Sequence, residues 1–565
     1  MIVSYLIVAL TFMTYLMLPG HMPDLSGQGW FLDILSMLGV GFILGIQVIP
    51  FLATMSLLIF TLRGKEPIPM KPEKHLRIAM LTTIVPSSEP WEQARETLLM
   101  FKQQRVEPGT RVDAWVLDEG DDPAIKADCK RLGIRHFSRK GVERWNQPDG
   151  PFRKKTKHGN HNAWREKYER YYDIVTQMDP DHKPLESRDF LERLTGYFSD
   201  PDVAYVVAPQ VYGNTEDGLV ATGAAELAYL FHGVIQPGAN GMDAPLLIGT
   251  NHAFRPAAWQ QMDGYQDCII EDHLTAMRVA SEFNPATGNR WKGVYTPDIL
   301  TAGEGPNTWS DFFTQQKRWA YGIFEILTTY TPKMWRRFSW KQRFSFLALQ
   351  YHYPAVSLNW LLGNMVSAMY LIFGATFQQI DVLAWAYFLI TANFMSLFSF
   401  FWLRRFNLVE HERKSLGLTG MLLNLVTVPI YLQAGYEQLT GKPLTFNVTA
   451  KGRLARGDSL AVFRPHLKWA AFALFAISLG VIQGHNFPIL YFWMGLTFVT
   501  CMTPITIWFF QTYISRSHVK AASAKRIEPS NQNSAPQFEQ ETQAMIKQVM
   551  RRVSHDNALM TAQRR

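Results

Sequence analysis

Several acids and cations in this sequence have a spacing suited to handling a charged leaving group. Asp179-Pro180-Asp181 sets two carboxylates on one side of an extended chain. That arrangement can hold Mg2+ or Mn2+ against a diphosphate, because hard cations prefer oxygen ligands; the same residues also read as a solvated turn around Pro180. Ile270-Glu271-Asp272-His273 opens a helical pattern. An aspartate there can serve as general base toward an attacking hydroxyl, or can simply favour the positive end of a helix dipole. Gln315-x-x-Arg318-Trp319 combines a guanidinium that can pair with a diphosphate and an indole face that can meet a sugar. Anchoring in a lipid headgroup layer is the alternative, since Arg and Trp both favour it. Lys157-His158-Gly159-Asn160-His161-Asn162 follows the basic run Arg153-Lys154-Lys155. Lys157 can contact phosphate or uridine there, or the whole stretch can be a solvated loop. No His/Glu spacing around His273 supports a zinc site.

These residues fall between about 76 and 332, where short β-rich runs alternate with amphipathic stretches. The pattern predicts strands at Arg77–Val85, Val112–Leu117, Asp173–Met178, Val203–Ala208 and Leu246–Gly249. It predicts helices at Trp91–Gln104, Asn160–Arg170, Leu219–Phe231 and Glu271–Ser281. Strands alternating with helices imply an α/β domain with a largely parallel sheet. Ligands sit beyond the carboxyl ends of such strands, which is where Asp118, Asp179-Pro180-Asp181 and Gly249-Thr250-Asn251 fall.

The 565 residues carry 56 Lys+Arg against 48 Asp+Glu, a net +8 that suggests an anionic partner. Charged residues make up only 18%, below the roughly 25% of ordinary soluble domains, and the deficit is localised. No Lys or Arg precedes Arg63, and none lies between Phe344 and Leu403 or between Trp469 and Ser515. Each block is long enough for two spans of about 20 residues, which predicts hairpins at 2–19 and 36–62, 353–377 and 381–403, and 468–484 and 487–513. The cations flank the hairpins and avoid their turns, so the positive-inside rule places both ends of every hairpin, both termini and the central domain in the cytoplasm. Residues 415–441 are apolar, but a crossing there would export the basic run that follows, so an interfacial helix is expected. The initial apolar run lacks a basic n-region and a cleavage site, so it is expected to be retained. Three widely spaced cysteines, Cys129, Cys268 and Cys501, exclude a disulfide-built scaffold. Asn447-Val448-Thr449 matches a glycosylation sequon, which is empty for a cytosolic loop.

The ordered set of Asp118, Asp179-x-Asp181, Glu271-Asp272 and Gln315-x-x-Arg318-Trp319, with membrane hairpins on both sides, resembles the processive membrane members of glycosyltransferase family 2. Phe446-x-Val448-Thr449-x-Lys451 is similar to the gating-loop motif of cellulose synthases and curdlan-type β-glucan synthases. The resemblance covers roughly 36–513 and implies a Rossmann-like GT-A domain inserted in an α-helical bundle of six spans plus interfacial helices. Its expected divisions are a transmembrane hairpin at 1–62, the glycosyltransferase domain at 63–332, an interfacial helix and second hairpin at 333–403, an interfacial helix and gating loop at 404–467, a third hairpin at 468–515 and a polar tail at 516–565. That tail is too short for a PilZ-type regulatory domain.

By motif position, the resemblance implies that Glu89, Asp118 and Lys157 contact uridine diphosphate and that Asp179 and Asp181 hold the nucleotide and a Mg2+ or Mn2+ ion. Asp272 is the implied base, with Glu271 beside it. Gln315 and Arg318 steady the substrate, Trp319 stacks beneath the acceptor sugar, and Thr449 and Lys451 close over the nucleotide. The implied activity is processive inverting transfer of glucose from UDP-glucose to a growing β-glucan, with export through a bacterial inner membrane and with accessory export proteins as possible partners. Asp118-Glu119-Gly120, Pro180, Ile270 and Asn251 depart from the cellulose synthase pattern, which leaves β-1,3 and β-1,4 linkage both open, as well as chitin- or hyaluronan-type products. Tyr351, Tyr353, Asn359, Trp360 and Asn364 can line an exit channel or form an aromatic belt at the interface. A nucleotide-sensing transporter is the weaker alternative, because the six expected spans lack the internal Lys, Arg or Glu that coupling needs. The basic residues form no recognised nucleic-acid module, so no nucleic-acid partner is expected.

Overall fold

The computed structural model describes residues 2–25, 29–185, 187–444 and 457–525. Nine strands occur among them: β1 (Arg77–Ile84), β2 (Arg111–Asp118), β3 (Arg135–Phe137), β4 (Ile174–Gln177), β5 (Lys183–Pro184), β6 (Val203–Val207), β7 (His252–Phe254), β8 (Lys292–Tyr295) and β9 (Thr301–Ala302). Seven form one sheet in the order β3-β2-β1-β4-β7-β6-β8, and β5 pairs with β9. Only β7 runs antiparallel in the large sheet, against both β4 and β6. The central β1 is buried along all but its first residue, as expected of a strand covered on both faces, and its sequence is accordingly an almost unbroken apolar run. β1 is joined on one side to β2 and on the other to β4. The chain order reverses between these neighbours, so a crevice opens at their carboxyl ends.

The expected strand at Leu246–Gly249 is not formed. That segment is irregular, and the strand is β7, three residues long. Because β7 is antiparallel, its entrance, Gly249-Thr250-Asn251, lies beside the carboxyl ends of its parallel neighbours. The turn into it is made by Asn251 at φ 55°, a left-handed conformation that asparagine tolerates better than most residues. The helix expected at Asn160–Arg170 begins earlier, at Lys157, where the Thr156 hydroxyl caps it by accepting from Gly159 N–H.

Six helices among the described residues are long and apolar enough to cross a membrane: Trp30–Arg63, Trp340–Phe373, Val382–Arg404, Leu418–Leu439, Leu460–Ile482 and Pro488–Tyr513. Five of these coincide with expected spans. The run expected at 2–19 forms the helix Ile2–Leu16, 15 residues long and short of the roughly 20 that a straight crossing needs.

The sixth, Leu418–Leu439, falls in the stretch expected at the interface. Both of its ends are tied to the α/β domain. Gly420 N–H donates to Glu226 at 2.5 Å, on the domain helix Leu219–Leu230. Glu437 pairs with Lys317 at 2.7 Å, on the domain helix Trp309–Glu325. A helix of 22 residues is about 33 Å long, so these two ties lay it along the domain.

Candidate active site

The crevice at the switch point opens into one cavity of about 2490 Å³. Glu89, Lys157, Asp179, Asp181, Glu271, Asp272, Gln315, Arg318 and Trp319 all reach its wall, as do Tyr351, Tyr353, Asn359 and Trp360 from the long helix Trp340–Phe373. Acids from separate parts of the chain therefore meet in a space that continues among the apolar helices. Thr449 and Lys451 lie outside the described residues.

Asp118 is placed differently from the expectation of ligand contact. It is fully buried and does not reach the cavity wall, whereas its neighbour Glu119 does. Its carboxylate accepts from Gly120 N–H at 2.8 Å, from Asp122 N–H at 2.7 Å and from His136 Nε2 at 3.1 Å. Burial pushes its pKa up, but these three donors outweigh burial and hold it below the usual carboxylate value. Asp118 thus shapes the turn after β2. Glu89 is also partly committed locally, accepting from Val85 N–H at 2.8 Å.

Asp179 and Asp181 follow β4 directly. Asp179 N–H donates to Thr250 Oγ1 at 3.0 Å, and its carboxylate pairs with Lys157 and accepts from Gln177 Nε2 at 3.2 Å. Lys157 also donates to the Gly249 carbonyl, so the ammonium pins the β7 entrance to the β4 exit. One atom each of Asp179, Asp181 and His182 lie within 4.8 Å of one another. A cation about 2.1–2.4 Å from each donor spaces them by up to twice that length, so this set fits a divalent ion. His182 was not foreseen. In a simple extended strand it would point away from Asp181, but His182 N–H donates to the Asp179 carbonyl at 3.0 Å, closing a turn that brings the imidazole round. The approach of Gly303 completes the setting, since a Cβ at that position would come within 2.4 Å of the imidazole.

Glu271 and Asp272 open the helix Glu271–Ser281. One Asp272 oxygen accepts from His273 N–H at 2.8 Å, and the other faces Gly249, where an added Cβ would lie 3.5 Å away. Burial, followed by the adjacent Glu271 charge, pushes the Asp272 pKa up to about 7, against the opposing pull of the His273 N–H, Lys157 and Arg318. Burial lowers the Arg318 pKa, while Glu271, Asp272 and Asp179 favour its charge; an arginine remains protonated under such conditions.

Arg318 and Trp319 share the helix Trp309–Glu325, whose position is fixed from several directions. Thr308 caps it by accepting from Asp311 N–H, and Asp458 accepts from Trp309 N–H at 3.1 Å and Ser310 N–H at 2.8 Å. Three of its first four otherwise unpaired donors are thereby satisfied. Further along, Tyr431 O–H donates to Gln316 at 3.0 Å. Beyond Trp319 the cavity passes Tyr353, whose ring meets Tyr431 edge-on at 4.9 Å, and then Trp360, which meets Trp469 at 6.2 Å. Asn364 is buried, donates to the Trp360 carbonyl and does not reach the cavity.

Residues 174–410 match the family model described as Glycosyl transferase family group 2. The matched stretch is thus similar to family 2 glycosyltransferases, and the sheet order with acids at its switch point agrees with a GT-A arrangement. It is 28% identical over 249 residues to the probable glucomannan 4-beta-mannosyltransferase 9 of Oryza sativa subsp. japonica, covering 41% of this chain and 44% of that protein. It is 25% identical over 296 residues to the UDP-forming cellulose synthase catalytic subunit of Xanthomonas axonopodis pv. citri, covering 51% of this chain and 37% of that one. The chain thus spans less than half the length of these curated relatives. Among solved structures, the mannosyltransferase PcManGT of Pyrobaculum calidifontis, in complex with GDP-Man and Mn2+, aligns at 16% identity over 72% of this chain and all of that one, with a TM-score of 0.44.

Proposed function

We propose that this protein is a processive, inverting β-glycan synthase that transfers glucose from UDP-glucose to a growing β-glucan and exports the product through its own helix bundle. One observation carries the reading: Asp272, Asp179, Asp181, Arg318 and Trp319 line a single cavity that continues past Tyr353 and Trp360 among the membrane helices. The apolar helices anchor the protein in a bacterial inner membrane, with the α/β domain on the cytoplasmic side. Leu418–Leu439 lies along the interface.

In this reading the acceptor hydroxyl lies against Asp272, which takes its proton as the oxygen attacks the anomeric carbon. Trp319 offers an apolar face that orients the acceptor ring. Negative charge develops on the departing diphosphate, and Arg318 and Lys157 are placed to stabilise it from fixed positions. Asp179, Asp181 and His182 would hold a Mg2+ or Mn2+ ion, which supplies further charge neutralisation to the diphosphate when bound. Sugar hydroxyls cannot cross hydrocarbon without partners, and the tyrosine, asparagine and tryptophan groups beyond Trp319 provide faces and hydrogen bonds along the way.

The similarity to a glucomannan mannosyltransferase favours a second donor, GDP-mannose, at the same site. Membranes containing the protein are supplied with labelled UDP-glucose or GDP-mannose and Mg2+ or Mn2+, and the product is digested separately with β-1,3-glucanase, β-1,4-glucanase and β-mannanase. Polymer from UDP-glucose cleaved by either glucanase supports the glucan reading. Polymer from GDP-mannose cleaved only by mannanase replaces it, and labelled product resistant to all three enzymes overturns both.

A further inference from the structure

A second, much smaller cavity shares Lys157, His158, Gly249, Glu271 and Asp272 with the main one, and its remaining walls are His161, Gln177, His252 and Tyr265. Its volume is about 10 Å³, the space that one water molecule needs. His161 and Gln177 are 2% and 1% exposed, and each has one committed atom. His161 Nε2 is 2.9 Å from Thr83 Oγ1, and Gln177 Nε2 donates to Asp179. His161 Nδ1 and Gln177 Oε1 have no hydrogen-bond partner among the described residues. Burial, with the nearby Lys157 charge, keeps the His161 ring neutral. A ring that accepts from the Thr83 hydroxyl at Nε2 presents Nδ1–H as a donor. A donor, an acceptor and the carboxylates of Glu271 and Asp272 therefore border a space one water wide, and buried polar groups require partners.

We infer that a single structural water accepts from His161 Nδ1–H and donates its two protons to Gln177 Oε1 and, from behind, to the Asp272 carboxylate, which makes His161 a positioning residue for the base. The inference rests on the proposed role of Asp272. A water donating to the carboxylate favours its charged form and fixes its direction while the acceptor occupies the front. It acts alongside the other charges that face Asp272, namely Glu271, Lys157 and Arg318, and beside the neutral rings of His252 and His273.

Two substitutions separate this role from simple packing. In H161N the amide nitrogen overlays Nδ1 and the Thr83 contact is lost; in H161Q the amide reaches Thr83 and the Nδ1 donor is lost. The assay measures sugar transfer against pH together with UDP binding. H161Q should lose about tenfold in kcat and shift the acid limb of the kcat/KM profile up by about one pH unit, the same free energy in both readouts, with UDP affinity unchanged. H161N should stay within about threefold of the parent, with its limb in place. Equal losses in the two variants with an unmoved limb would overturn the water site and leave His161 a packing residue. Failure of the base assignment looks different: D272N would retain turnover, and the parent protein would show no acid limb near neutrality.

Discussion

Replacing Asp272 by asparagine tests the proposed chemistry and its electrostatic setting together. The Asp272 pKa stands at about 7 against an ordinary 3.8, a difference of about 3 units, and each unit corresponds to 1.36 kcal/mol. The sign follows from proton uptake. Between pH 4 and 7 the folded protein holds a proton on Asp272 that the unfolded chain has released, so stability falls as pH rises through this window and is level above it. The full cost at pH 8 is at most about 4 kcal/mol. D272N removes that cost, so the variant should unfold at a higher temperature than the parent at pH 8 and at nearly the same temperature at pH 4. Catalysis should move the opposite way. A lost general base costs about 10²- to 10⁴-fold, and in the parent kcat/KM should fall about tenfold per pH unit below 7 as the carboxylate protonates. Detergent-solubilised protein serves for the melting curves, membranes for UDP release, and titration calorimetry for UDP affinity, which D272N should retain. Turnover within tenfold of the parent, or a melting difference that does not change with pH, would refute the placement of a strained, proton-accepting carboxylate here.

Chelation with EDTA should abolish transfer, with recovery on adding Mn2+ or Mg2+; H182A should need a higher metal concentration for half-recovery, by about tenfold, the scale on which groups around a metal centre act. D458A withdraws the acceptor for Trp309 and Ser310 N–H and should destabilise the Trp309–Glu325 helix by about 1 kcal/mol, read as a lower melting temperature with D458N closer to the parent. W319A should leave UDP affinity unchanged while reducing polymer extension more than single-turnover hydrolysis of the donor, compared by gel filtration and UDP release.

Much of this site is legible in the order of the chain, and the exceptions have physical causes. Asp179, Asp181, Asp272, Arg318 and Trp319 stand at strand exits or on an amphipathic helix, where residue pattern and chemistry agree. Asp118 shows the limit, because sequence cannot tell a carboxylate that faces a ligand from one whose oxygens are taken by Gly120, Asp122 and His136. His136 comes from β3, a contact set only by strand pairing. His182 was hidden because a reverse turn, not a two-residue alternation, decides where its ring points. The run Leu246–Gly249 has strand-like composition but serves as the approach to β7, whose three residues are too few to show a period. The Leu418–Leu439 helix is as apolar as a span, and only its ties to Glu226 and Lys317 reveal its direction.

Arg318 and Trp319 are adjacent on a helix gripped at its start by Asp458 and along its length by Tyr431 and Glu437. Under the proposed function, the helix acts as a fixed gauge between the place where the nucleotide would depart and the place where the acceptor ring would rest. Neither can drift without carrying the other, so an acceptor ring of the wrong length or pucker would meet a ruler that does not stretch, and discrimination among acceptors would reside partly in that one rigid rod.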